Sequence, residues 1–172
     1  MSRAERSLLA GRSNLELDDR KVRRVTNTFL GLDDTVPFQY DATGHTRFVV
    51  EEEETEEVGK VYFGKDIYPG PSVLDPNSAL SMKAAVAHEI SHFHRWQDGH
   101  ELPLGVHRDL DEGLTSLDAA LRFSGDLTPH EIQQLIRDAM QRLQLHRGTL
   151  GADAQDLPGT GDAGPASPAV GA

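Results

Sequence analysis

The segment running from Ala84 to His94 reads Ala-Ala-Val-Ala-His-Glu-Ile-Ser-His-Phe-His. It holds two histidines four positions apart, with a glutamate directly after the first. In a helix, His88 and His92 share a face, so both imidazoles can reach one metal ion. Glu89 stands about 100° further round, where a carboxylate can take a proton from water beside that ion. With this His and Glu content, the pattern would arise by chance only about 0.03 times. Metal-assisted hydrolysis is therefore the first chemistry to consider. The chain has no cysteine, so any metal must be held by histidine and carboxylate.

The motif sits where the pattern already predicts a helix, from Asn77 or Ser78 as cap to about Gln97, with Gly99 just beyond its end. Met82, Val86, Ile90 and Phe93 form an apolar stripe, and His88 and His92 lie off it beside Ala85. The helix can thus bury one face and turn another to a cleft. Upstream, Val22, Val25 and Phe29 mark a helix over about 18–30, and a short helix is expected around Ala4–Leu9. Residues 45–64 read as a hairpin with strands Arg47–Glu54 and Val58–Phe63. Downstream, Leu110, Leu114, Leu117 and Leu121 line one side of a helix over about 109–123. Thr128-Pro129-His130-Glu131 is a capping box opening a further helix that should stop near Gly148. Residues 148–172 contain 15 Gly, Ala or Pro among 25 and read as a disordered tail behind a single domain of residues 1–147.

A catalytic zinc takes three protein ligands and leaves one position for water. Glu112 follows His92 after 19 intervening residues and opens the next predicted helix. Two antiparallel helices joined by such a connection bring the start of the second near the middle of the first. Asp98, six residues after His92, is the rival third ligand. It would require the chain to turn three residues after His92, where Arg95 favours continuing the helix.

At this point the sequence resembles the gluzincin metallopeptidases, in which His-Glu-x-x-His is followed by a glutamate on a second helix, here at the thermolysin-like spacing. Asp111-Glu112-Gly113-Leu114 is similar to the Asn-Glu-Gly-aromatic segment of one-zinc aminopeptidases. The resemblance covers about residues 78–123 and extends to the hairpin if the domain is a minimal gluzincin. It implies an α+β, zincin-like metallopeptidase domain with a small hairpin-containing sheet packed on the active-site helix. It also implies zinc held by His88, His92 and Glu112, Glu89 as general base, and a protein or peptide substrate bound as an added strand. Two departures stand out. Thermolysin-like enzymes place an acid four residues after the glutamate ligand to orient a histidine; here that position is Ser116, and Asp118 comes two residues later. No downstream segment matches the one that carries their transition-state His or Tyr.

The remaining features discriminate less. His94, His100, His107 and His130, with Tyr62 and Tyr68, are the available transition-state donors, His107 the best placed; Trp96 reads as a core anchor. The six glutamates around Thr55 read as a solvated hairpin tip or as a negative rim that selects basic substrates. A net charge of -11 argues against nucleic acid and anionic membrane surfaces as partners. Without a secretory h-region or an apolar span, the expected location is cytoplasmic. A protease there must be narrow in specificity or controlled by a regulatory protein partner. The alternative, of a different class, is a degenerate peptidase domain serving as a metal-binding interaction or sensor module.

Overall fold

The computed structural model describes residues 11–71, 79–103, 105 and 107–155. The helix expected around Ala4–Leu9, the proposed caps Asn77 and Ser78, and residues 156–172 of the tail lie outside them. The architecture is α+β. Helix α1 (Asp19–Leu32) is capped by the Asp18 carboxylate, which accepts from the Lys21 amide. Strand β1 (Phe38–Tyr40) follows, then the hairpin β2 (Arg47–Glu53) and β3 (Glu56–Phe63). The sheet order is β1-β3-β2, with β1 parallel and β2 antiparallel to the central β3. The hairpin register pairs Arg47 with Tyr62 and Glu53 with Glu56, and puts Glu54 in the left-handed region at its tip. Strand β1, only three residues long, was not anticipated, since so short a run carries no measurable alternation.

Three helices complete the chain: α2 (Met82–Gln97), α3 (Arg108–Arg122) and α4 (Pro129–Gln155). Helix α2 starts later than the sequence suggests, because Ser81 supplies the cap, its Oγ accepting from the Ala84 amide at 3.0 Å. The same hydroxyl donates to Glu131 Oε1 at 2.8 Å. Glu131 also closes the capping box of α4, with Thr128 N to Glu131 Oε2 at 2.9 Å and Glu131 N to Thr128 Oγ1 at 3.2 Å. The starts of α2 and α4 are thereby tied together.

The core lies between the sheet and α2. Phe29 of α1 stacks on Phe38 of β1 at 4.6 Å between ring centroids and meets Phe63 of β3 at 5.7 Å. Val61, Ile67, Val86 and Ile90 fill the space toward α2, each with no exposed surface. Phe48 and Trp96 cover its far end, with centroids 6.0 Å apart. Gly59 makes this possible, because a Cβ there would lie 2.7 Å from the indole ring.

Two expectations about faces are corrected. Helix α2 is buried on nearly all sides, Ala84, Ala85, Ala87, His88, Ser91, His92 and Arg95 joining the apolar stripe. On α3 the leucines do not mark the core. Leu114 and Leu121 are exposed, and the buried face is Asp111, Gly113, Thr115, Ser116, Ala119 and Ala120. That face is small and polar because it packs closely on two neighbours: a Cβ on Gly113 would sit 3.3 Å from the Ala139 carbonyl of α4. Helix α4 also runs past Gly148 to Gln155. One glycine costs a helix only about 1 kcal/mol relative to alanine, which does not break a continuing turn. No helix among the described residues is long and apolar enough to cross a membrane.

Candidate metal centre

His88, His92 and Glu112 converge, their ligand atoms all within 4.8 Å of one another. His88 Nε2 lies 3.1 Å from Glu112 Oε2, and His92 Nε2 lies 3.6 Å from Glu112 Oε1. In a tetrahedral site with bonds of 2.0–2.1 Å, ligand atoms stand about 3.3 Å apart, a value these two distances bracket. The imidazoles meet edge to face at 4.8 Å between centroids. Phe48 of β2 lies parallel to His92 at 6.3 Å, forming an apolar wall on the sheet side.

Helix register brings these groups together. The Arg95 guanidinium, buried, donates to Asp111 Oδ1 at 2.7 Å and to the His100 carbonyl at 2.7 Å. Asp111 Oδ1 also accepts the Leu102 amide at 3.0 Å. This pair fixes the start of α3 against the end of α2 and sets the adjacent Glu112 opposite the histidines. Helix α2 itself ends at Gln97, two residues beyond Arg95, and Gly99 just past its end adopts φ +70°. There the His100 amide reaches the Arg95 carbonyl and the Gly99 amide reaches that of Trp96. Asp98 thus sits exposed at the helix end, away from the cluster.

The Nδ1 atom of each histidine faces a hydroxyl oxygen of α3. Ser116 Oγ donates to Asp138 Oδ2 at 2.6 Å, so it accepts from His88 Nδ1 at 2.9 Å. Thr115 Oγ1 donates to the Asp111 carbonyl at 2.8 Å and stands 3.4 Å from His92 Nδ1. A neutral His88 with its proton on Nδ1 turns a bare Nε2 lone pair toward the Glu112 carboxylate. A cation between them satisfies both. The donor set and spacing therefore fit a metal ion.

The two glutamates differ in the expected sense. Burial pushes the Glu89 carboxyl up to about 7, Glu112 reinforces the shift, and His92 opposes it. Its Oε2 is enclosed and meets no hydrogen-bond donor among the described residues. Burial also acts to raise Glu112, but the His92 and His88 imidazoles beside it hold it well below the usual carboxylate range. One carboxylate is committed as an anion and the other is poised to exchange a proton near neutrality.

The other residues singled out in the sequence lie elsewhere. His94 Nε2 pairs with Asp33 Oδ2 at 2.6 Å, joining α2 to the end of α1. His107 is exposed and faces His146 at 5.7 Å, and His100 and His130 are exposed. Tyr62 donates to Glu51 at 2.5 Å on the outer face of the hairpin, and Tyr68 lies beneath Lys21. Asp118 pairs with Arg122 at 3.0 Å. Three features were missed in the sequence. Asp138 was one, although a charged residue beside Leu135 and Ala139 on the buried side of α4 was a usable signal. The Arg95–Asp111 pair was another. The third was Arg12, whose guanidinium binds the carbonyls of Asp66, Ile67 and Leu80 and ties the N-terminal segment to the entry of α2.

Comparison of the chain with protein-family models, with curated proteins and with solved structures found no match.

Proposed function

We propose that the chain is a zinc-dependent metallopeptidase of the gluzincin type, with a zincin-like arrangement of sheet and active-site helix. The observation that carries this reading is the convergence of His88, His92 and Glu112 beside Glu89, whose Oε2 is enclosed and meets no hydrogen-bond partner among the described residues. A metal-binding site needs no second acid there; a hydrolase does.

Zinc, when bound, would acidify water and polarise the scissile carbonyl. Glu89 takes a proton from the attacking water and delivers it to the leaving amine nitrogen. Burial raises that carboxyl in the metal-free protein, and a bound cation would act to lower it. Glu112, held as an anion, stays a ligand throughout. Strand β2 is an edge of the sheet and carries Phe48 to the metal ligands, so an extended peptide pairing with its free edge would pass the site. The exposed Glu52 and Glu53 further along favour basic residues in that peptide.

The test compares cleaved protein termini in cells carrying wild type or Glu89→Gln, alongside zinc analysis of the purified proteins. Termini present only with wild type, at equal zinc content, are the expected result. Zinc bound equally, with no Glu89-dependent terminus and no turnover on peptide libraries, would replace the peptidase by a metal-binding interaction module.

A further inference from the structure

We propose that Ser116 and Asp138 are positioning residues for His88, forming a relay in which a carboxylate from α4 acts on the ligand histidine through a serine of α3. The inference rests on His88 being a metal ligand. The geometry is a continuous chain: His88 Nδ1 to Ser116 Oγ at 2.9 Å, then Ser116 Oγ to Asp138 Oδ2 at 2.6 Å. Ser116 has no exposed surface and Asp138 only 1%.

Proton counting gives the chain its direction. A carboxylate only accepts, so the one hydroxyl proton of Ser116 points to Asp138. The oxygen left behind presents lone pairs to His88 Nδ1, which favours a proton there against the pull of Glu112 on Nε2, 3.1 Å away. The Nε2 lone pair is directed at Glu112 and at any cation between them. Without Asp138 the hydroxyl can rotate and donate to Nδ1, which puts the imidazole proton on Nε2 and blocks the ligand atom. The carboxylate therefore selects the tautomer, while the serine transmits that selection across 22 residues of sequence separation.

The burial of Asp138 supports this role. A carboxylate on the packed side of α4, between Leu135 and Ala139, is expensive to desolvate, and a leucine would serve packing better. The nearest opposite charge is Arg142 Nε, 3.6 Å from Oδ1, leaving Oδ2 to the serine. Thr115 serves as the built-in comparison. It faces His92 from the same helix turn but passes its proton to a backbone carbonyl rather than to an acid.

Two measurements test the relay. Long-range proton–nitrogen spectra of metal-free protein at alkaline pH, with labelled histidine, report the tautomer of each imidazole. Wild type should hold His88 with its proton on Nδ1. Asp138→Asn, close to isosteric, should mix the tautomers at His88 and leave His92 unchanged. Zinc competition with a chromogenic chelator should show affinity falling about 10–100-fold in Asp138→Asn and in Ser116→Ala. Ser116→Thr should stay close to wild type, and the double variant should be no weaker than Ser116→Ala alone. A purely structural role would lower thermal stability without moving the tautomer. His88 protonated on Nε2 in wild type overturns the relay, as do variants that fold and bind zinc like wild type. If wild type takes up no zinc, the metal reading fails on its own terms, and the wild-type spectrum still decides the relay.

Discussion

Replacing Glu89 by glutamine should stabilise the metal-free protein, and by an amount that grows with pH. The carboxyl is raised from 4.5 to about 7, chiefly by burial. An acid whose folded-state pKa is raised binds its proton more tightly when folded. Its favourable contribution is therefore complete below pH 4.5 and is lost as pH rises through 7. By linkage, the penalty that Glu89 imposes grows from about 1 kcal/mol at pH 5 to about 3 kcal/mol at pH 8 and then levels off. Glutamine has nearly the same shape and no charge to desolvate, so it removes this pH-dependent part and leaves only a constant offset. Urea unfolding of chelator-stripped wild type and Glu89→Gln across that range measures the difference directly, because the titrating groups beyond its neighbours His92 and Glu112 are shared and cancel. The difference should widen by about 2 kcal/mol between pH 5 and 8. This corresponds to a change of about 4–8 °C in the gap between melting temperatures. A gap that stays constant with pH would refute the argument, since it would mean that the carboxyl is hydrated in the folded protein. Glu89 would then not be held in the enclosed state from which it is proposed to work.

Zinc should bind near one per chain, with content falling sharply in His88→Ala and affinity weakening in Glu112→Gln. Asp98→Asn should change little; the reverse order of these last two, by elemental analysis, would move the third ligand to Asp98. Arg95→Met should cost about 3–5 kcal/mol in urea unfolding, because it strands the buried Asp111 carboxylate. Gly59→Ala should cost about 1–3 kcal/mol by forcing a Cβ against the Trp96 ring, and fluorescence should report the displaced indole. Ending the chain at Gly148 should shift the melting temperature little, since residues 149–152 of α4 are exposed.

The helices and hairpin were legible because each carries a local signal, a cap or a period. The Thr128–Glu131 box and the Gly99 terminus are both present, and the hairpin strands differ from their expected bounds by one or two residues. The starts and faces were less legible. The position of Ser81 was concealed by two earlier cap-like residues, and its advantage lies in partners from α4, Glu131 and Gln134, that are 50 or more positions away. The outward turn of Leu114 and Leu121 has the same cause. Hydrophobicity marks the core when a helix packs on apolar neighbours. Here α3 seats a candidate glutamate ligand, two hydroxyls and a close glycine contact on the side facing α2 and α4.

That inversion also gives the cluster a regular helical geometry. Glu112, Thr115 and Ser116 occupy positions i, i+3 and i+4 of α3, and they face His88 and His92 at i and i+4 of α2. A slip of one residue along either helix would turn at least one member of each pair away. The register is held by Arg95 on Asp111, outside the His88, His92 and Glu112 cluster, while Ser81 on Glu131 anchors the start of α2 to α4. The same three positions of α3 then supply the anionic ligand and an oxygen beside the Nδ1 atom of each histidine. The face that hydropathy would call the wrong one to bury is the face that carries the candidate metal site, and the exposed leucines are the consequence of giving it that place.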